Sequence, residues 1–181
     1  PTLRHLNYLA LDVAANAGAE VSVECKSHGQ LFNDALRCRL IESDGSVSVS
    51  AQCVAGNTLG VPVAAGARRR AAIEVNSGMS TAVARLPPGL PWALVARGDQ
   101  PLRTIGEWGP LHFFMPDGTK KASLWIQADV TGEAARLVVR APDGSVAAER
   151  EEDFDARTKV EWPVPKEHAG KAWSVSLERC A

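Results

Sequence analysis

Wherever this chain shows a pattern, the pattern has period two. AEVSVEC at 19–25, LRCRLIE at 36–42, SVSVSAQ at 46–52, RRAAIEV at 69–75, TAVARL at 81–86, ASLWIQA at 122–128, ARLVVRA at 135–141, TKVEWPV at 158–164 and AWSVSLE at 172–178 alternate apolar with polar residues or form short β-branched runs. Successive side chains of a strand point to opposite faces, so this alternation describes strands with one face buried. Residues that let a backbone reverse break up the runs: SDGS at 43–46, AGN at 55–57, NSG at 76–78, PPGLP at 87–91, PDGTKK at 116–121, TGE at 131–133, PDGS at 142–145. Short strands with turns at this spacing predict an all-β chain of antiparallel sandwiches. LNYLALDVAANAG at 6–18 is the one stretch whose alanines also suit a helix, and the alternation of YLALDV favours a strand.

Two phrases recur. SDGSVSVS at 43–50 is matched by PDGSVAAE 99 residues later, at 142–149. Each reads as the turn and outgoing arm of a hairpin, with Asp-Gly supplying the left-handed backbone that a tight turn needs. VPVAAGARRRAAIEV at 61–75 lies similarly against VPKEHAGKAWSVSLE at 164–178, offset by 103. Order and spacing both repeat, which predicts two copies of one sandwich unit, immunoglobulin- or jelly-roll-like. The Gly- and Pro-rich segment RGDQPLRTIGEWGP at 97–110 is the expected boundary, giving an N-terminal sandwich over 1–100 and a C-terminal one over 101–181.

At 181 residues the chain accommodates two domains of roughly 90 residues, small but viable cores. Twenty Lys and Arg against 21 Asp and Glu leave a net charge of −1, which gathers neither nucleic acid nor an anionic membrane. No apolar run approaches the length of about 20 residues that a spanning helix needs. Pro1 at the start leads to the expectation that this is part of a longer protein.

Strand parity places Cys25, Cys38 and Cys53 on apolar faces and Cys180 on the outer parity of the last strand. That arrangement suits at most one bridge plus buried thiols, and the disulfide state is left open. Neither Cys-x-x-Cys nor zinc-like His spacing occurs, so no metal or cofactor is expected. His5, His28, His112 and His168 are scattered, and no nucleophile elbow, phosphate loop or metalloprotease helix is present. Asp153 and Asp155 in the acidic run at 149–155 lack the Gly and Asn of a calcium loop and read as a solvated loop. No catalytic residues are nominated.

The aromatic residues carry the binding argument. All five Trp lie after residue 91. Trp162 shares its face with Val160 and Val164, and Trp173 shares its face with Val175 and Leu177, which makes both core. Trp92, beside Pro91, is expected to close the first core. In ASLWIQA the inward set is Ala122, Leu124, Ile126 and Ala128, leaving Ser123, Trp125 and Gln127 on the outer face. An indole among polar neighbours can stack on the C–H face of a sugar, or can meet a partner domain. Trp108, in the boundary segment, reads as a plug between sandwiches and joins Trp125, Gln127 and Ser123 as the candidate ligand-binding set.

GPLHFFMPDGTKKASLWIQA at 109–128, ARLVVRAPDGSV at 135–146 and WPVPKEHAGKAWSVSLE at 162–178 resemble the accessory β-sandwich modules that flank catalytic domains in large bacterial secreted enzymes, glycoside hydrolases above all. The resemblance is clear over 111–178; Met115, Ala141 and Ala122 stand where those modules usually carry Val, Asp and a core aromatic. It implies a non-catalytic carbohydrate-binding or accessory module of a polysaccharide-degrading enzyme, with a poly- or oligosaccharide and the parent's catalytic domain as partners. It also implies an extracellular or periplasmic location. The alternative is a purely structural spacer or docking domain.

Overall fold

The computed structural model describes residues 1–29 and 31–180. Its regular structure is β throughout, apart from one 3-10 turn at Lys166–His168. The strands cluster into two compact units, one spanning Thr2–Ile105 and one beginning at Gly106.

The first unit contains β1 (Thr2–Val13), β2 (Ala19–Lys26), β3 (Leu36–Glu42), β4 (Val47–Cys53), β5 (Thr58–Val63), β6 (Arg69–Arg85), β7 (Trp92–Leu94) and β8 (Thr104–Ile105). All pairings are antiparallel. The order β4-β3-β6-β1-β7 forms one face, and β5-β2 lies opposite. Alternate residues of both faces meet in a core of Leu9, Leu11 and Val13, Val21 and Val23, Leu36 and Leu40, Val61 and Val63, Ile73 and Val75. The 17-residue β6 joins the faces. Its first half pairs with β1 and β3, and its second half pairs with β2 through Cys25↔Ala82 and with the start of β1 through Leu3↔Ala82. The bend falls at Gly78, where φ is +55° and the neighbouring Met79 N–H donates to Asp34 Oδ2 at 2.7 Å. A Cβ at Gly78 would run into that carboxylate, so glycine is required there twice over.

The second unit contains β9 (Trp108–Met115), β10 (Lys121–Ile126), β11 (Ala135–Arg140), β12 (Val146–Glu152), β13 (Thr158–Pro163) and β14 (Lys171–Glu178). The order β12-β11-β14-β9 faces the pair β10-β13. Between them lie Met115, Leu137, Val139, Phe154, Val160, Trp162 and Trp173.

Six strands of the first unit have counterparts, in the same order, in the second. β4-β3-β6-β1 with β2-β5 becomes β12-β11-β14-β9 with β10-β13. Leu36↔Cys53 of the first hairpin reappears as Ala135↔Glu152, 99 residues on, and both hairpins shift register at their turns. The turns agree atom for atom. Gly45 and Gly144 have φ of 85° and 87°. Gly45 N–H donates to the Glu42 carbonyl and Gly144 N–H to that of Ala141, both at 2.9 Å. Asp44 and Asp143 each accept from the N–H and hydroxyl of the serine two residues on. This is a tight turn closed by a left-handed glycine, which the Asp-Gly-Ser phrase encodes locally.

The second recurring phrase needs a correction. Val21↔Val61 corresponds to Ala122↔Trp162, so Val61-Pro62-Val63 matches Trp162-Pro163-Val164 at an offset of 101. The sequence alignment at 103 chose the wrong one of two overlapping Val-Pro-like pairs in WPVPK; burial of Trp162 and Val164 beside exposed Pro163 sets the frame. The expected linker is also partly strand. β8 pairs with the start of β1 through Thr2↔Ile105, and buried Asn7 holds Arg103 by accepting from its N–H at 2.8 Å and donating to its carbonyl at 3.0 Å. Trp108 opens β9. Trp92 does not seal the first core: on the edge strand β7 it is 46% exposed, while Leu94 packs inward instead.

Candidate functional site

The outer face of the β10-β13 pair carries the residues that alternation nominated. Ser123, Trp125 and Gln127 are exposed, and Leu124 and Ile126 pack on the core. Trp125 stands opposite Lys159, and Ser123 opposite Glu161. The indole is not bare. The Arg157 guanidinium lies 4.7 Å from its ring centroid and Lys159 Nζ 5.9 Å away. Such contacts contribute about 0.5–1 kcal/mol at exposed positions. Glu161 accepts from Lys121 Nζ at 2.8 Å and also pairs with Lys159, which holds its carboxyl below the ordinary range. The face is thus a ladder of charges in which two cations lie against an indole that is still 53% exposed.

Trp108 belongs to the other sheet of the same unit, so it and Trp125 cannot form one site. It lines a cleft of about 470 Å³ with Glu107, Pro110, Arg140, Ser174, Ser176 and Glu178. The cleft exists because the side chains on adjacent strands are small. A Cβ on Gly109 would come within 2.8 Å of the Ser176 Cβ, so glycine lets β9 close over β14 while Ser174 and Ser176 leave space. The corresponding stretch of the first unit is filled: Glu74 accepts two hydrogen bonds from Arg39, each 2.7 Å, and one from the Tyr8 hydroxyl at 2.9 Å. In the cleft Glu178 accepts from Ser176 Oγ and from Arg136, both at 3.0 Å. One wall is therefore an indole, and the floor carries hydroxyls, a fixed carboxylate and a guanidinium. These suit a ligand with an apolar face and many hydroxyl groups.

Other residues singled out in the sequence make contacts within the fold. Trp162 and Trp173 are core, 3% and 1% exposed, with ring centroids 6.4 Å apart, and Trp173 Nε1–H donates to the His168 carbonyl at 2.9 Å. His168 also meets Asp143 at 3.4 Å, beside the second Asp-Gly turn. Asp155 accepts from the Gly132 N–H at 2.7 Å, which occupies it as a loop tie. Among the described residues no group of His, Cys, Asp and Glu is arranged to hold a metal.

All four cysteines are free thiols, and Cys25 and Cys38 are fully buried. Burial pushes the Cys38 thiol up to about 12 and raises the others. They are protonated packing groups rather than nucleophiles. Cys180 departs from the expected outer parity: it follows the end of β14, Arg179 adopts φ of +51°, and the side chain turns back onto the core.

Two features escaped the sequence reading: the cleft, and the Tyr8–Glu74–Arg39 cluster. Both depend on which strands are neighbours. Alternation gives the face of a residue without its cross-strand partner.

Comparison with known protein families, with characterised proteins and with solved structures finds no match. The class of the molecule therefore rests on its own geometry: an all-β chain of antiparallel sheets packed as sandwiches. No helix among the described residues is long and apolar enough to cross a membrane.

Proposed function

We propose that this chain is a non-catalytic, carbohydrate-binding accessory module of a larger polysaccharide-degrading enzyme, and that the cleft beside Trp108 takes the glycan. The observation that carries the reading is the juxtaposition of that indole with Ser174, Ser176, Glu178 and Arg140 in one open cleft. Its action is proximity: a module held on an insoluble chain raises the concentration of substrate at the attached enzyme. An extracellular or periplasmic location accompanies this reading, since polymeric glycans are met there.

Affinity electrophoresis and calorimetry against a panel of soluble polysaccharides test it. Trp108→Ala is expected to weaken binding by about 1–3 kcal/mol, the scale of losing one stacked aromatic, with Trp125→Ala leaving affinity nearly unchanged. Loss with Trp125→Ala alone would move the site to the opposite sheet, and no binding to any glycan would leave the spacer reading. That second reading is favoured by one observation, the contact of Arg157 and Lys159 with the Trp125 ring, which engages the indole within the fold.

A further inference from the structure

The first unit shows how the free edge of this fold is finished. There β7 lies along β1 with Leu94 opposite Leu9 and Trp92 opposite Leu11. Beyond the strand itself, Asp12 N–H donates to the Pro91 carbonyl and Val95 N–H donates to the Tyr8 carbonyl, both at 3.0 Å. With that cover in place Leu9 and Leu11 are 1% and 2% exposed, and Leu94 reaches the core.

β9 is the counterpart of β1. Leu9↔Ile73, Leu11↔Ala71 and Val13↔Arg69 reappear as Leu111↔Val175, Phe113↔Trp173 and Met115↔Lys171, each 102 residues later. Among the described residues no strand lies on its far side. The consequence is visible in the core: Leu111 and Phe113 are only half-buried where Leu9 and Leu11 are sealed. The correspondence puts the Pro110 carbonyl in the place of Tyr8's and the Phe114 N–H in the place of Asp12's, aimed outward along the open edge.

We propose that the open edge of β9 is an acceptor for an extended peptide of a partner polypeptide, which adds antiparallel as β7 does in the first unit and places an aliphatic side chain opposite Leu111. Main-chain hydrogen bonds then give affinity, and the half-covered Leu111 and Phe113 give side-chain selectivity. A second copy of this chain is a poorer occupant. Symmetric pairing of β9 with itself sets Pro110 against Phe114 at both ends, and Pro110 has no N–H to contribute. The β7-type arrangement asks only for the Pro110 carbonyl. This surface uses the strand's edge with Leu111 and Phe113, neither of which lines the cleft; it shares with the cleft only Pro110, whose main-chain carbonyl alone is used here.

The test is a titration of the whole chain with a synthetic peptide of sequence LPWALVA, the chain's own residues 90–96, followed residue by residue by amide hydrogen exchange. Saturable binding is expected, with exchange at His112 and Phe114 slowed at least about tenfold, and with a peptide carrying Lys at the Leu94 position having no effect. Phe114→Pro, which removes the outward N–H, is expected to abolish the response. Should that variant fold poorly, the wild-type protection pattern decides by itself. Failure of saturating peptide to protect His112 and Phe114 overturns the proposal, and so does peptide-independent self-association that protects the same amides.

Discussion

The two units share a strand order and differ in what fills it. In the first the core is aliphatic and thiol, and one long bent strand stitches both sheets together. In the second the corresponding strand stops after eight residues, the sheets remain separate, and Trp162, Trp173, Phe113 and Phe154 occupy the interior. Two indoles and two phenyl rings give the bulk that many small aliphatic groups give in the other unit. The difference teaches that this topology is specified by alternation and turn chemistry, while the choice of core residues is free within the volume available.

The largest test of that contrast is Trp173→Ala. Removing a fully buried indole is expected to cost the second unit about 3–5 kcal/mol, read by amide exchange at Leu137 and Val139. Exchange at Val21 and Ile73 in the first core should be unchanged; a parallel loss there would break the picture of two self-contained cores. Gly78→Ala addresses the bent strand. The added methyl meets Asp34 at a left-handed backbone position, and a loss of about 1–3 kcal/mol is expected, confined to the first unit in denaturant unfolding.

Glu74 gives a difference in pH response. Its hydrogen bonds from Arg39, and then from Tyr8, outweigh burial and hold its carboxyl below the ordinary value of 4.5. A folded value below the unfolded one means that stabilisation is complete above about pH 4.5 and is lost as pH falls through the folded value. Glu74→Gln should cost about 1–2 kcal/mol at neutral pH and flatten the acid limb of the first unit's stability curve. Smallest are Gly45→Ala and Gly144→Ala. Each places a methyl in open space at φ near +85°, at a cost of about 1 kcal/mol. Equal losses would sharpen the equivalence of the two hairpins, and unequal ones would show that context overrides the shared turn.

The fold was largely legible because its signals are local. Alternation in VSVEC, LRCRL and LWI assigned faces that the burial of Val23, Leu40 and Leu124 follows, and Asp-Gly-Ser assigned both hairpins. What failed was long-range. Trp92 looked like a lid because aromatic bulk suggests core, yet its strand holds it on an edge. Cys180 was placed by counting alternately through Arg179, whose left-handed backbone resets the count. The candidate residues split for the same reason: Ser123, Trp125 and Gln127 follow from parity within one strand, whereas Trp108 meets Ser174 and Ser176 only through the pairing of β9 with β14. No spacing in the sequence announces that neighbourhood.

Each unit receives the chain and releases it at adjoining rungs, Thr2 beside Ile105 in one and Trp108 beside Leu177 in the other. Tension on the polypeptide therefore pulls those rungs apart crosswise, one after another, instead of sliding strands along their length against many bonds at once.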